Sequence, residues 1–212
     1  MKIPLLKPRL FIKLKDANRR VLRDEELPCH SYVNNFYMHI ISQMFGAYGP
    51  SGDSLTVYNT AGTARNNTTL VYRMGSDVAK WEPGVSNSDF GILVGTSLTG
   101  WAITNFKLGA QLTEGIGAGH LHHGAQSVPT ISTLAAVRTV SRNRSFWNNS
   151  PLADITVNEI GMYIYTYMEA TSGNEYMMFF RDVLASPITV PMNGGELQVT
   201  IASSLTYPET IS

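Results

Sequence analysis

Cysteine occurs once in this chain, as Cys29, so an internal disulfide framework and a four-cysteine zinc site are both excluded. Charge is scarce as well. Asp, Glu, Lys and Arg make up 15% of the 212 residues, against about 25% in an ordinary soluble domain. The surface must therefore be neutral and polar, and 18 Ser, 19 Thr and 14 Asn supply it, with 18 Gly for turns. Residues 115–137 contain no Lys, Arg, Asp or Glu, yet three His, a Pro and several Gly prevent this run from being a membrane helix. The first 15 residues carry Lys or Arg every few positions and no apolar run of signal-peptide length, so synthesis and folding in a cytoplasm are expected. What is present is 43% hydrophobic residues, enough to exclude wholesale disorder, in a length that suits one domain with or without an added arm.

The net charge of zero hides an asymmetry. Residues 1–24 hold eight basic side chains against Asp16 and Asp24, a balance of +6, and the remainder carries −6. A basic arm or hairpin (1–30) on an acidic body (31–212) is expected, with Lys13, Arg19, Arg20 and Arg23 placed to reach a neighbouring copy. The same run also reads as a solvated hairpin.

Hydrophobic periodicity assigns most of the chain to strands. Leu10, Ile12 and Leu14 alternate against Phe11 and Lys13, and residues 20–22 could return as the second strand of a hairpin. One helix is expected over 31–46, with Ser31 as N-cap and Val33, Phe36, Tyr37, Ile40, Ile41 and Met44 forming an apolar stripe. Further strands are expected over 54–59, 68–74, 90–95, 101–105, 132–143, 155–168, 175–181, 188–190 and 196–202. In 155–168 the apolar parity switches at Asn158-Glu159, which predicts a bulge or burial on both faces, with Glu159 hydrogen-bonded to backbone or to Arg138, Arg142 or Arg181. Pro187 and Pro191 imply that 188–190 is short or at an edge. Without alternating helices, the expected fold is mainly β: an antiparallel, jelly-roll-like β-sandwich with one helix.

Motifs for chemistry are few. Gly115-Ile-Gly-Ala-Gly-His120 lacks the strand before and helix after that a phosphate loop needs. His120, His122 and His123 form the best metal candidate, with Glu114 or Asp89 as conceivable further ligands. They equally suit a subunit contact, and no bound metal or cofactor is expected. Gly95-Thr-Ser-Leu-Thr-Gly100 is one residue too long for a nucleophile elbow. Cys29-His30 is only a sequence neighbourhood, and Asp154, Glu159 and Asp182 would need a shared cleft to act as glycosidase carboxylates. No enzymatic activity is expected, and no specific nucleic-acid binding, because the acidic body lacks aromatic-basic motifs. Tyr163, Tyr165 and Tyr167 share one strand face and are expected as interface anchors.

Four stretches in order resemble structural proteins of tailed bacteriophages. They are Ser31-Tyr-Val-Asn-Asn-Phe36; Ile92-Leu-Val-Gly-Thr-Ser97 with Ala102-Ile-Thr-Asn-Phe106 and Leu112-Thr-Glu-Gly115; Ser145-Phe-Trp-Asn-Asn149 with Ile155-Thr-Val-Asn-Glu-Ile-Gly161; and Phe180-Arg-Asp-Val-Leu184 with Ile188-Thr-Val-Pro191 and Glu196-Leu-Gln-Val-Thr200. The resemblance implies a homo-oligomeric virion subunit of head, neck or tail whose partners are itself and other virion proteins. A module binding a host-surface glycan is the alternative, and a metal-dependent hydrolase a more distant one. It implies no catalytic residues, and from the lack of a membrane segment no membrane partner is expected.

Overall fold

The computed structural model describes residues 7–30, 32–45, 56–66, 82–168 and 173–206. These residues form a mainly β fold in which every paired strand is antiparallel. Two larger sheets share one apolar core, and a separate two-stranded hairpin of β3 (Thr56–Tyr58) and β4 (Ala64–Asn66) adds Val57 to it.

The first sheet begins with the hairpin of β1 (Lys7–Lys15) and β2 (Val21–Leu27). Asp16 shapes its turn by accepting the N–H groups of Asn18 and Arg20, both at 2.9 Å. β1 does not end the sheet. It lies between β2 and β11 (Gly195–Thr206), and β11 in turn pairs with β8 (Val137–Asn148). Two short strands, β6 (His122–His123) and β7 (Thr130–Leu134), share the outer edge of β8. Leu10, Ile12 and Leu14 point into the core and are 0%, 1% and 4% exposed. The expected separable arm is thereby corrected: the N-terminal segment is an interior strand of the main sheet. The +6 balance was also partly a product of where it was cut, because Glu25 and Glu26 on β2 belong to the same hairpin.

The second sheet is β10 (Gly173–Val190), β9 (Ile155–Met168) and β5 (Gly91–Gly95), in that order. The strands expected over 175–181 and 188–190 are one strand. Pro187 is tolerated because it falls in the register shift between Val183 and Ile188, where no ladder N–H is required. That shift lies opposite Asn158 and accounts for the parity switch in β9. Ile155, Val157, Ile160, Met162 and Ile164 all reach the shared core, while Tyr163 joins Val33, Leu93, Leu108 and Met178 in a second cluster on the other face. The strand expected over 132–143 is two strands, folded back at Ala135-Ala136, where Ala135 adopts φ 50°. Residues 101–105 form turns, not a strand, and 68–74 lie outside the described residues.

Helix α1 (Asn34–Phe45) packs against β10 and β3. Just before it, Tyr32 bridges Phe180 and the Val33 N–H donates to Phe179 O at 3.0 Å, so the chain covers the edge of β10 and then turns into the helix. Tyr32 and Phe36 stack at 3.8 Å, and Phe36 meets Phe179 edge-on at 5.8 Å. Asn35 acts as a surrogate strand residue: its amide donates to Tyr58 O (2.7 Å) and accepts from Tyr58 N (2.9 Å). Ser31 and Gly46, the expected helix ends, and the side chains of Ile41 and Met44 lie outside the described residues. No described helix is long and apolar enough to cross a membrane.

Because β1 is interior, Ile12→Ala is expected to cost about 2–5 kcal/mol, and Phe36→Ala a similar amount. Deleting residues 1–24 should abolish the cooperative thermal transition seen by circular dichroism. A truncated chain that melts like the full one would show that β1 is dispensable.

Candidate functional site

The outer face of the second sheet is roofed by the segment 96–112, and one buried carboxylate holds it there. Glu159 on β9 is fully buried. It accepts the N–H groups of Ser97 (3.3 Å), Gly109 (3.0 Å) and Ala110 (2.8 Å) and the guanidinium of Arg181 on β10 (2.9 Å from Nε, 2.8 Å from NH2). Arg181 spends its other donors on Thr99 O, Gly100 O and Asn105 Oδ1. Each polar atom of the pair thus has a partner, the condition under which a buried ion pair is tolerable. Gly95 makes the room: a Cβ there would lie 2.5 Å from both Ala110 O and Glu159 Oε1. The Tyr163 hydroxyl supports the same roof by accepting the Leu108 N–H at 2.5 Å, and burial raises its pKa. Of the three arginines expected as partners of Glu159, Arg181 is the one.

The three histidines do not converge. His122 Nδ1 lies 2.8 Å from one oxygen of Glu114, and the other oxygen accepts the His123 N–H at 2.6 Å. His120 instead meets Thr113 Oγ1 at 2.9 Å. His123 is buried edge-on against Phe146, with Nδ1 3.2 Å from Asn87 O. No trio of His, Cys, Asp or Glu arranged for a metal exists among the described residues. Burial, assisted by Arg144, lowers the His123 pKa to about 4, so its ring is neutral near pH 7. Burial alone would raise the Glu114 pKa, but the hydrogen bonds from His123 and His122 leave it below its usual value. Arg144, which no sequence motif marks, is buried and donates to the carbonyls of Gly124, Asn87, Phe90 and Ile92. Burial lowers its pKa to about 10. It fastens β8 to the start of β5.

The carboxylates Asp182 and Asp154 are each held by nearby backbone groups. Asp182 accepts His30 N (2.8 Å) and Val183 N (2.9 Å) and lies 2.6 Å from His30 Nδ1, while the His30 ring stacks on Trp101 at 5.3 Å. Cys29 turns its Sγ to Pro8 O at 3.0 Å. Asp154 accepts the Met192 N–H at 2.9 Å.

The expected interface residues are engaged within the chain. Lys13 pairs with Asp24 (2.7 Å), Arg20 with Asp16 (3.2 Å) and Arg23 with Glu25 (2.5 Å), while Arg19 joins Lys15 on Glu196 at 2.8 and 3.0 Å. Tyr163 is buried and cannot be an interface anchor. Tyr165 packs with Phe90 and Tyr176 at 5.6 and 5.1 Å, and the Tyr167 side chain lies outside the described residues.

Most strand edges among the described residues are covered or charged. On β5 the outer edge is occupied: the Leu112 N–H donates to Val94 O (2.9 Å), Gln126 Oε1 accepts the Ile92 N–H (2.6 Å), and Arg144 donates to Ile92 O. On β10 it is met by Val33 and by Thr60 N to Tyr176 O (3.0 Å). β2 is edged by Arg23, Asp24, Glu25 and Glu26, charges that discourage further pairing. Among the described residues, β7 has none of these protections. Thr-Ile-Ser-Thr-Leu is exposed at all five positions, uncharged, and paired on one side only among the described residues. Ile131 is 54% and Leu134 82% exposed, with Val128 and Val140 exposed nearby.

A scan against protein-family models, a search of curated proteins and a search of solved structures each find no match for this chain.

Glu159→Ala should lower stability by about 3–5 kcal/mol, because Arg181 is left buried without its countercharge. Hydrogen exchange at the Gly109 and Ala110 amides should accelerate, and unchanged protection there would show that the roof does not depend on Glu159. The buried neutral His123 sets a pH dependence. Its folded-state pKa lies below its unfolded one, so the stability it contributes is complete above about pH 6.5 and is lost as pH falls towards 4, on the order of 3 kcal/mol. Thermal midpoints measured from pH 7 to pH 4 should fall less steeply for His123→Gln than for the unaltered chain.

Proposed function

We propose that this protein is a non-enzymatic structural subunit of a tailed-phage virion, working through symmetric contacts between copies of itself and with other virion proteins. The ordered sequence resemblance supports the virion setting, with synthesis in the host cytoplasm. The observation that carries the assembly reading is the bare edge of β7. An uncharged antiparallel edge is complementary to itself, because a two-fold axis through its centre presents N–H to C=O in both directions and brings no like charges together. Pairing two copies would also cover Ile131 and Leu134, which a lone subunit leaves in water. The low overall charge suits the same role, since neutral Ser, Thr and Asn surfaces resist close packing less than charged ones do.

Light scattering and sedimentation test this reading. The purified chain should form species larger than its 23.3 kDa monomer. The double variant Ile131→Lys, Leu134→Lys should shift the population towards monomer while the thermal midpoint is retained, because both side chains are exposed. A native chain that stays monomeric at all concentrations, and is absent from electron-microscopy maps of particles, would overturn the proposal.

A further inference from the structure

We propose that the cleft between Asp89, Lys107 and Tyr176 is a binding site for a neutral pyranoside sugar. The cleft has a volume of about 350 Å³, the size class of small-ligand sites. Its floor is apolar and rigid: Leu108 and Tyr163 are buried and joined by their hydrogen bond. Its walls carry polar groups that keep hydrogen-bonding capacity unused among the described residues. Among the described residues, every Asp and Glu side chain other than Asp89 accepts a hydrogen bond or faces a cation. Among the described residues the Lys107 ammonium meets no carboxylate, and it lies 5.9 Å from the Phe106 ring. The two charges line one cleft without forming an ion pair. The Tyr176 hydroxyl is also without a hydrogen-bond partner among the described residues, and burial, Asp89 and Tyr165 together raise its pKa, so it stays protonated. Its ring is held by Tyr165 and Phe90, at 5.1 and 6.3 Å. Gln111 donates to Ser88 O at 2.5 Å, and among the described residues its carbonyl oxygen accepts no hydrogen bond.

This set of groups selects its ligand class by chemistry. An ionised carboxylate only accepts and an ammonium only donates, whereas a sugar hydroxyl does both, so adjacent hydroxyls can satisfy Asp89 and Lys107 together. The opposed charges disfavour net charge: a phosphate would meet Asp89, and a cation would meet Lys107. A free amino acid would match the two charges but leave Tyr176, Gln111 and much of the volume unfilled. Tyr176 offers an apolar face for the C–H side of a pyranose ring and a hydroxyl at its rim. The site does not depend on self-assembly. It rests on the roof segment 96–112, which supplies Lys107, Leu108 and Gln111.

The test is saturation-transfer NMR and calorimetric titration of the full chain with the methyl pyranosides of glucose, galactose, mannose and N-acetylglucosamine, with glycine as the amino-acid probe. At least one pyranoside should bind, with a Kd on the order of 1 mM or tighter. Asp89→Asn and Lys107→Met, both at exposed positions and expected to melt like the parent, should each weaken it about tenfold or more. Arg138→Ser, an exposed cation elsewhere, should leave it unchanged. No pyranoside signal, binding that survives Asp89→Asn, or binding of glycine instead would each overturn the proposal, whatever the oligomeric state.

Discussion

The buried pair of Glu159 and Arg181 is the constraint around which one side of this molecule is arranged. A carboxylate without a cation could not remain in that apolar setting, and the cation without the loop carbonyls would be equally costly. Between them the two side chains bind backbone or side-chain groups of Ser97, Thr99, Gly100, Asn105, Gly109 and Ala110, so an irregular loop lies flat on a sheet face it has too few apolar residues to cover alone. Such a pair adds little net stability compared with apolar residues of the same volume. What it supplies is a single position for the loop, since any other leaves charges unpaired. The cleft walls are a consequence of that position.

Arg144 repeats the solution with neutral partners. Its donors go to four backbone carbonyls, so it serves as a cross-link between β8 and the approach to β5. Together with Gln126 it closes the open edge of β5, while Val33 and Thr60 close that of β10. Edge after edge is covered by side chains or loops, or blunted by charge, and among the described residues this makes the uncovered, uncharged β7 a distinct feature of the surface. A mobile charged fringe could have protected it at little cost, but the chain carries few charges to spend.

Much of the strand content was legible in the residues. Alternation in Leu197, Val199 and Ile201 identifies β11, and the parity switch at Asn158-Glu159 correctly points to burial on both sides and to an arginine partner. Local signals misled where a long-range partner overrode them. Pro187 correctly points to an edge, since β10 borders its sheet, but the separation it suggests between 175–181 and 188–190 is absorbed by a register shift. The Ala135-Ala136 turn carries none of the usual Gly or Asn, so β7 and β8 read as one strand. Arg144 falls on the inward parity of β8 with Phe146 and Asn148, but a charged residue reads as outward unless its carbonyl partners are known.

What the sequence determined by itself was periodicity: a mainly β, antiparallel chain with one amphipathic helix and no disulfide or membrane helix over 115–137. Periodicity records which face of an element is apolar, not what that element pairs with. Tertiary structure alone decided that β1, apparently a basic appendage, sits between β2 and β11, because its neighbour lies at the far end of the chain and Lys15 reaches Glu196 across 181 positions. It also decided which charges would be paired and which would be left free. Asp89 and Lys107 are unexceptional in the sequence, and they become a candidate site because the folded loops place both on one cleft without bringing them into contact.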